Sequence, residues 1–145
     1  MNGHRIFLSA LQPEHAYTMQ TYIATTEHIT VSVRPIYLDG QSDPMARKFV
    51  FAYFVTIENE GSEDVQLLRR RWIIRDTNGE MKEVEGEGVV GKQPIITPGE
   101  VHEYSSFCVL ETFEGSMEGN YTMVRPNGDR FTVVIPKFTL RASAN

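Results

Sequence analysis

From Thr21 onward, short apolar runs with a two-residue period are cut by turn residues about every ten positions, and a chain patterned this way folds as strands. Ile29, Val31 and Val33 alternate with Thr30, Ser32 and Arg34 until Pro35 interrupts the ladder, which marks an edge strand or a strand with a bend. Residues 49–57 are apolar almost throughout. Phe49, Phe51, Tyr53, Val55 and Ile57 share one face, and Val50, Ala52 and Phe54 share the other, as expected of a central strand. Over residues 65–74 the alternation puts Leu68, Arg70, Trp72 and Ile74 on one face and Leu67, Arg69, Arg71 and Ile73 on the other. Asn78-Gly79 then predicts a type I′ hairpin turn with a short return strand over 81–84. Further strands are expected at 101–110, 117–124 and 131–140, the last two joined by a turn at Pro126-Asn127-Gly128-Asp129. Val, Ile and Thr number 13, 10 and 12 against seven Ala and seven Leu, a mix that favours strands over helices.

The fold class expected is all-β: an immunoglobulin or fibronectin type III-like β-sandwich of seven or eight strands. Trp72 should be buried with Phe51, Tyr53, Val55, Tyr104, Tyr121 and Phe131 in one core between the sheets. Residues 22–145 are read as that domain. Residues 1–21 are read as an N-terminal extension without turn signals or sustained alternation. Either Met19 is the biological start and residues 1–18 are not native, or the segment after Pro13 forms a short docking helix.

Composition excludes several function classes. A single cysteine, Cys108, allows no internal disulfide and no thiolate zinc site, which points to a reducing compartment. The net charge of −5 argues against bulk attraction to nucleic acid or to an anionic membrane. No apolar run approaches the roughly 18 residues a membrane helix requires, so no membrane insertion and a cytoplasmic location are expected.

Several stretches, taken in order, resemble the ApaG (CorD) family. They are Tyr22-Ile23-Ala24-Thr25-Thr26, Phe51-Ala52-Tyr53, Val55-Thr56-Ile57-Glu58-Asn59, and Leu67-Leu68-Arg69-Arg70 with Trp72. The segment from Gly86 through Glu87, Gly88, Val89, Val90, Gly91 and Lys92 to Gln93-Pro94 belongs with them, as do Pro98-Gly99-Glu100 and Gly115-Ser116-Met117-Glu118-Gly119-Asn120-Tyr121. The resemblance covers about Tyr22 to Leu140. It implies a fibronectin type III-like sandwich in a small bacterial protein associated with cobalt resistance and magnesium efflux. Related eukaryotic domains in F-box and polymerase-interacting proteins imply an interaction module. Residues 1–18 have no counterpart in the family, and His102 stands where an aromatic is expected.

Candidate sites are few. Gly86-x-Gly88-x-x-Gly91 fits the dinucleotide fingerprint as a string, but that chemistry needs a helix N-terminus facing the pyrophosphate, and Pro94 and Pro98 allow no helix after the loop. Glu85 and Glu87 would also repel phosphate. The glycines are read first as positions of positive φ or close backbone approach, and after that as part of a partner-docking loop. Val89 and Val90 are expected either to face solvent together as a docking surface or to fold inward together as a plug. In the triplet Arg69-Arg70-Arg71, Arg70 faces opposite to its neighbours. It is expected either to lie on Trp72 with its guanidinium paired to a carboxylate, or to stand at the mouth of the sandwich and bind an anion. Glu80, Glu83, Glu85 and Glu87 read as a solvated face before they read as a metal site. His4, His15, His28 and His102 show no ligand spacing, and Ser105 and Ser106 lack the surroundings of a nucleophile.

The expectation is therefore a non-catalytic protein-interaction module with no catalytic residues, no metal and no cofactor. Its candidate binding residues are Gly86, Gly88, Val89, Val90, Gly91, Lys92 and Arg70. The partner is an unknown protein, and a homodimer through a sheet edge is one form such a module can take. The alternative is a sensor of a phosphorylated nucleotide or divalent metal that uses the same 86–92 loop.

Overall fold

The two-residue period is realised as strands stacked in two antiparallel sheets. The computed structural model describes residues 20–143, and the expectations about residues 1–18 lie outside them. The strands are β1 (Tyr22–Thr26), β2 (Ile29–Tyr37), β3 (Phe49–Asn59), β4 (Val65–Asp76), β5 (Met81–Glu87), β6 (Ile95–Ile96), β7 (Val101–Leu110), β8 (Glu114–Val124) and β9 (Arg130–Arg141). One sheet runs β1-β2-β3-β7; the other runs β5-β4-β8-β9, with β6 paired to the start of β4. This is the expected β-sandwich, and the described strands include the two-residue β6, which no alternation announces.

The core lies between the sheets. Trp72 is buried with Phe51, Tyr53, Val55 and Tyr121, and the half-buried Tyr104 and Phe131 pack against the same cluster. The Trp72 ring meets Tyr53 at 5.3 Å and Phe138 at 6.0 Å between centroids, both edge-on, the favoured aromatic geometry. β3 is apolar on both faces because both faces are covered. Val50, Ala52 and Phe54 form a second buried cluster with Ile36 and Leu38 on the outer side of their sheet. Pro35 lies past the end of β1, whose last partner is Val33, so among the described strands β2 has a neighbour on one side alone at that point.

Two local expectations are corrected. In β4 the register shifts between Leu67 and Arg69, so Leu68 is the extra residue of a β-bulge. Leu67, not Leu68, therefore shares the inner face with Trp72, and it is fully buried. At the 77–79 turn only Gly79 has positive φ, 92°, and the chain closes with Asp76 N–H on Glu80 O at 3.0 Å. This is a three-residue loop with a glycine bulge rather than a type I′ turn. The Asn78 side chain accepts from Glu80 N–H at 3.0 Å, a local bond that holds the longer loop.

The two lateral sides of the sandwich differ. On one side β1 and β9 are joined: Val134 N–H donates to Thr26 Oγ1 at 3.1 Å, and Arg125 Nη2 reaches Glu27 at 3.0 Å. On the other side β5 and β7 are the outer strands of their sheets, and among the described residues no strand pairing connects them.

Candidate functional site: a cleft between β5 and β7

The arginine triplet is sorted by the pleat. Arg69 and Arg71 point away from the core and meet carboxylates of β5: Arg69 lies 3.9 Å from Glu85, while Arg71 pairs with Glu83 and stands 3.7 Å from Glu85. Arg70 points inward, as the alternation requires, but its partner is not the expected carboxylate. Its Nη1 donates to the backbone carbonyls of Glu87 and Gly88, each at 3.0 Å. Gly86 is the residue opposite Arg70 in the ladder, and a Cβ there would sit 2.8 Å from the guanidinium nitrogens. The missing side chain at 86 is what lets the guanidinium lie against β5 and reach those carbonyls.

The bulge in β4 anchors the loop that follows β5. Leu68, the extra residue, offers its carbonyl to Gly88 N–H at 2.8 Å and to Gln93 Nε2 at 2.9 Å. Gly88 has φ 64°, and a Cβ would fall 2.1 Å from Lys92 O, so no other residue fits. Val89 and Lys92 then exchange two backbone bonds of 2.8 and 3.0 Å around Val90 (φ 47°) and Gly91 (φ 75°), a type I′ turn. A β-branched residue in the left-handed region costs on the order of 1–2 kcal/mol. The turn splits the valine pair instead of sending both one way. Val89 is a core residue at 1% exposure, and Val90 is 63% exposed. The backbone amides of Gly88, Val89 and Lys92 are already bonded, and the chain continues into β6, so the phosphate cradle of a dinucleotide site is not formed.

Between this loop, β5 and β7 lies a cleft of about 550 Å³. Its floor comes from Tyr53, Trp72 and Met117; Val84, Val90 and Gly91 form one wall, and Tyr104, Ser105, Ser106 and Phe107 the other. Arg70 stands in it beside the loop. The hydroxyls of Tyr104 and Tyr121 are bonded to each other, and Ser106 is the ladder partner of Tyr53. Burial holds Tyr53, Tyr104 and Tyr121 above the ordinary phenol value, while the nearby Arg70 charge pulls weakly the other way. All three are therefore neutral hydroxyls at physiological pH and do not neutralise the guanidinium. Burial pushes the Cys108 thiol up to about 12, which leaves it a protonated core group and no nucleophile.

His102 does stand in aromatic company, its ring 6.3 Å from that of Tyr104. Burial, then the charge of Lys92, lowers its pKa, and Glu103 opposes them. Of the acidic stretch, Glu83 and Glu85 are taken up by the outer arginines, and Glu87 is the ladder partner of Arg69. Glu80 lies elsewhere, with its carboxylate beside those of Asp76 and Glu111.

The structure thus brings Gly86, Gly88, Val89, Val90, Gly91 and Arg70 together on one side of the molecule. The sequence reasoning missed Tyr53, Trp72, Tyr104, Ser106 and Phe107 as lining residues. Their alternation placed most of them on inner faces, but only the strand order shows which of them border the open side.

Comparison with known proteins decides the family. The ApaG domain model matches residues 39–125. Protein ApaG of Paramagnetospirillum magneticum is 50% identical over 119 residues, 82% of this chain and 92% of the relative. The chain belongs to the ApaG family. Protein ApaG of Rhodospirillum centenum is 51% identical over the same shares of both chains. The crystal structure of the putative ApaA protein from Bordetella pertussis superposes with a TM-score of 0.76 at 49% identity, covering 78% of this chain and 92% of that one. An ApaG-family fold is thus shared along most of the chain.

Proposed function

We propose that this ApaG-family chain is a non-catalytic, cytoplasmic protein-interaction module whose working surface is the open β5/β7 side, and that it influences cobalt resistance and magnesium efflux indirectly, through its partner. The observation that carries the reading is the coincidence of two strand edges, unpaired among the described residues, with exposed apolar side chains. Val84, Val90 and Phe107 rim the cleft, and all three are exposed. Free strand edges offer main-chain hydrogen bonds to an incoming segment, and apolar groups within a polar rim are a recurring mark of docking surfaces. A second copy of the chain could use the same edge and form a homodimer.

A second reading has its own support. The concavity of the cleft, with Arg70 and hydroxyls converging on an apolar floor, is the form expected of a small-ligand sensor. The bonded amides of the 86–92 loop count against a phosphorylated nucleotide as that ligand.

The test compares the wild type, a Val90→Ser/Phe107→Ser variant and an Ile23→Ser control, since Ile23 is equally exposed but on β1. All three should melt alike. A partner captured from the native cell by wild type and control but not by the double variant supports the reading. Retention by the double variant refutes it, and a saturable response to ADP or a divalent metal in place of a partner promotes the sensor.

A further inference from the structure

Among the described residues, Arg70 is the member of its triplet without a carboxylate within 4.0 Å. A guanidinium carries five N–H donors. Nη1 is held by the Glu87 and Gly88 carbonyls, which fixes the plane of the group, and among the described residues the Nε and Nη2 donors make no such bond. Carbonyl dipoles orient the charge and do not cancel it. The tyrosines around it are neutral, and Glu87, the ladder partner of Arg69, lines the cleft as well but makes no ion pair with Arg70 within 4.0 Å. The cleft therefore presents one guanidinium with no carboxylate within 4.0 Å, hydroxyls at Tyr104 and Ser106, and an apolar floor at Trp72, Ile74 and Met117.

The shape adds a direction. Arg70 and the Val89-Val90-Gly91 turn stand at one end of the cleft, whereas Ile74 and Met117 line the other. The edge of β7 runs alongside. An extended segment that pairs with that edge and advances toward Arg70 runs into the turn and has to stop. A chain end brings a carboxylate to that place, with its last side chain beneath it.

We propose that the cleft receives the C-terminus of an extended partner segment, with the terminal carboxylate on the free donors of Arg70 and an apolar last side chain over Trp72. This rests on the protein-partner reading above and names its chemistry: strand addition combined with carboxylate capture. A volume of about 550 Å³ suits one terminal residue and part of the one before it.

Trp72 is the only tryptophan of the chain and lies in the cleft floor, so its emission reports occupancy. The full chain is titrated with four probes: a six-residue peptide ending in a phenylalanine carboxylate, the same peptide as its terminal amide, N-acetylphenylalanine, and inorganic phosphate. The inference predicts a saturable change with the free-acid peptide, binding at least tenfold weaker for the amide, and no response to phosphate. An Arg70→Gln variant should lose the preference for acid over amide; the acid–amide comparison on the wild type stands even where that variant loosens the loop. Equal binding of acid and amide, phosphate binding as tight as the peptide, or no saturable response would overturn the inference. N-acetylphenylalanine binding as tightly as the peptide would overturn the chain-end assignment and the partner reading, and would give the Arg70 carboxylate site to a small organic acid instead.

Discussion

The β1/β9 side and the β5/β7 side of this sandwich face the same problem, two sheets that end side by side, and solve it differently. At β1/β9 the gap is sewn with short polar contacts. Thr26 accepts from Val134 N–H, and Arg125 reaches Glu27 and Glu63 while its guanidinium lies 4.1 Å from the centre of the Phe131 ring. At β5/β7 the strands stay apart, and a loop stands over the gap, held by the bulge at Leu68 and by Arg70. That side also keeps a valine in the left-handed region and, among the described residues, a guanidinium with no carboxylate within 4.0 Å. Left-handed backbone is common to both sides, since Glu27 and His28 hold φ of 47° and 71° at the β1–β2 turn. What sets the open side apart is that guanidinium and two strand edges that no described strand covers, and these mark it as the side with a task.

The contrast concerns the two edges and not the core between them. Trp72→Ala, under the open side, and Phe138→Ala, which contacts Tyr22 of β1, should each lower stability by about 3–5 kcal/mol in urea unfolding. A cheap loss at either position would mean that the two halves do not share one core. Next in size, Val89→Ser should cost about 2–3 kcal/mol, because it places a hydroxyl where an isopropyl group is buried. A neutral result would show that the loop does not plug the sandwich.

Smaller effects distinguish the edges more finely. Arg125→Gln should destabilise by about 1 kcal/mol through loss of its ring contact and ion pairs, and raised salt should shrink the difference. Val90→Asn should act in the opposite sense and stabilise by up to about 1 kcal/mol, since asparagine tolerates the left-handed conformation. An open side that gains stability while the closed side loses it is the signature of the comparison, and a destabilised Val90→Asn would break it.

The smallest effect expected is a pH dependence at the loop end of the open side. His102 has a lowered pKa in the fold, so as pH drops through 6.5 the unfolded chain takes up the proton more readily than the folded one. The contribution of His102 is complete above that pH and is lost as pH falls toward and through its folded value. His102→Phe should therefore flatten the wild-type slope between roughly pH 7 and pH 5. An unchanged slope would assign the acid sensitivity to other groups.

Strand positions and the Trp72 core were legible because a two-residue period and a core aromatic are properties of neighbouring positions. The bulge was not, since a single extra residue at Leu68 leaves no mark on composition and moves Leu67 to the inner face. The valine pair could not be divided from sequence either, because a turn at Val90-Gly91 depends on the ladder bond between Val89 and Lys92. Arg70 was placed on the correct face but given the wrong kind of partner. Charge was matched to charge, whereas the absent side chain of Gly86, directly across the ladder, opened the backbone carbonyls to it. The cleft draws on strands of both sheets, and their order is not encoded in any local pattern.

The claim that the open side is the working side is tested most directly by amide hydrogen exchange of the chain alone and in its captured complex. In the free protein the segments 84–91 and 101–109 should exchange faster than Val134, whose N–H is held by Thr26. In the complex, added protection should appear over 84–91 and 101–109 and leave β1 and β9 unchanged. Protection confined to β1 and β9, with the β5 and β7 edges exchanging as before, would contradict the account.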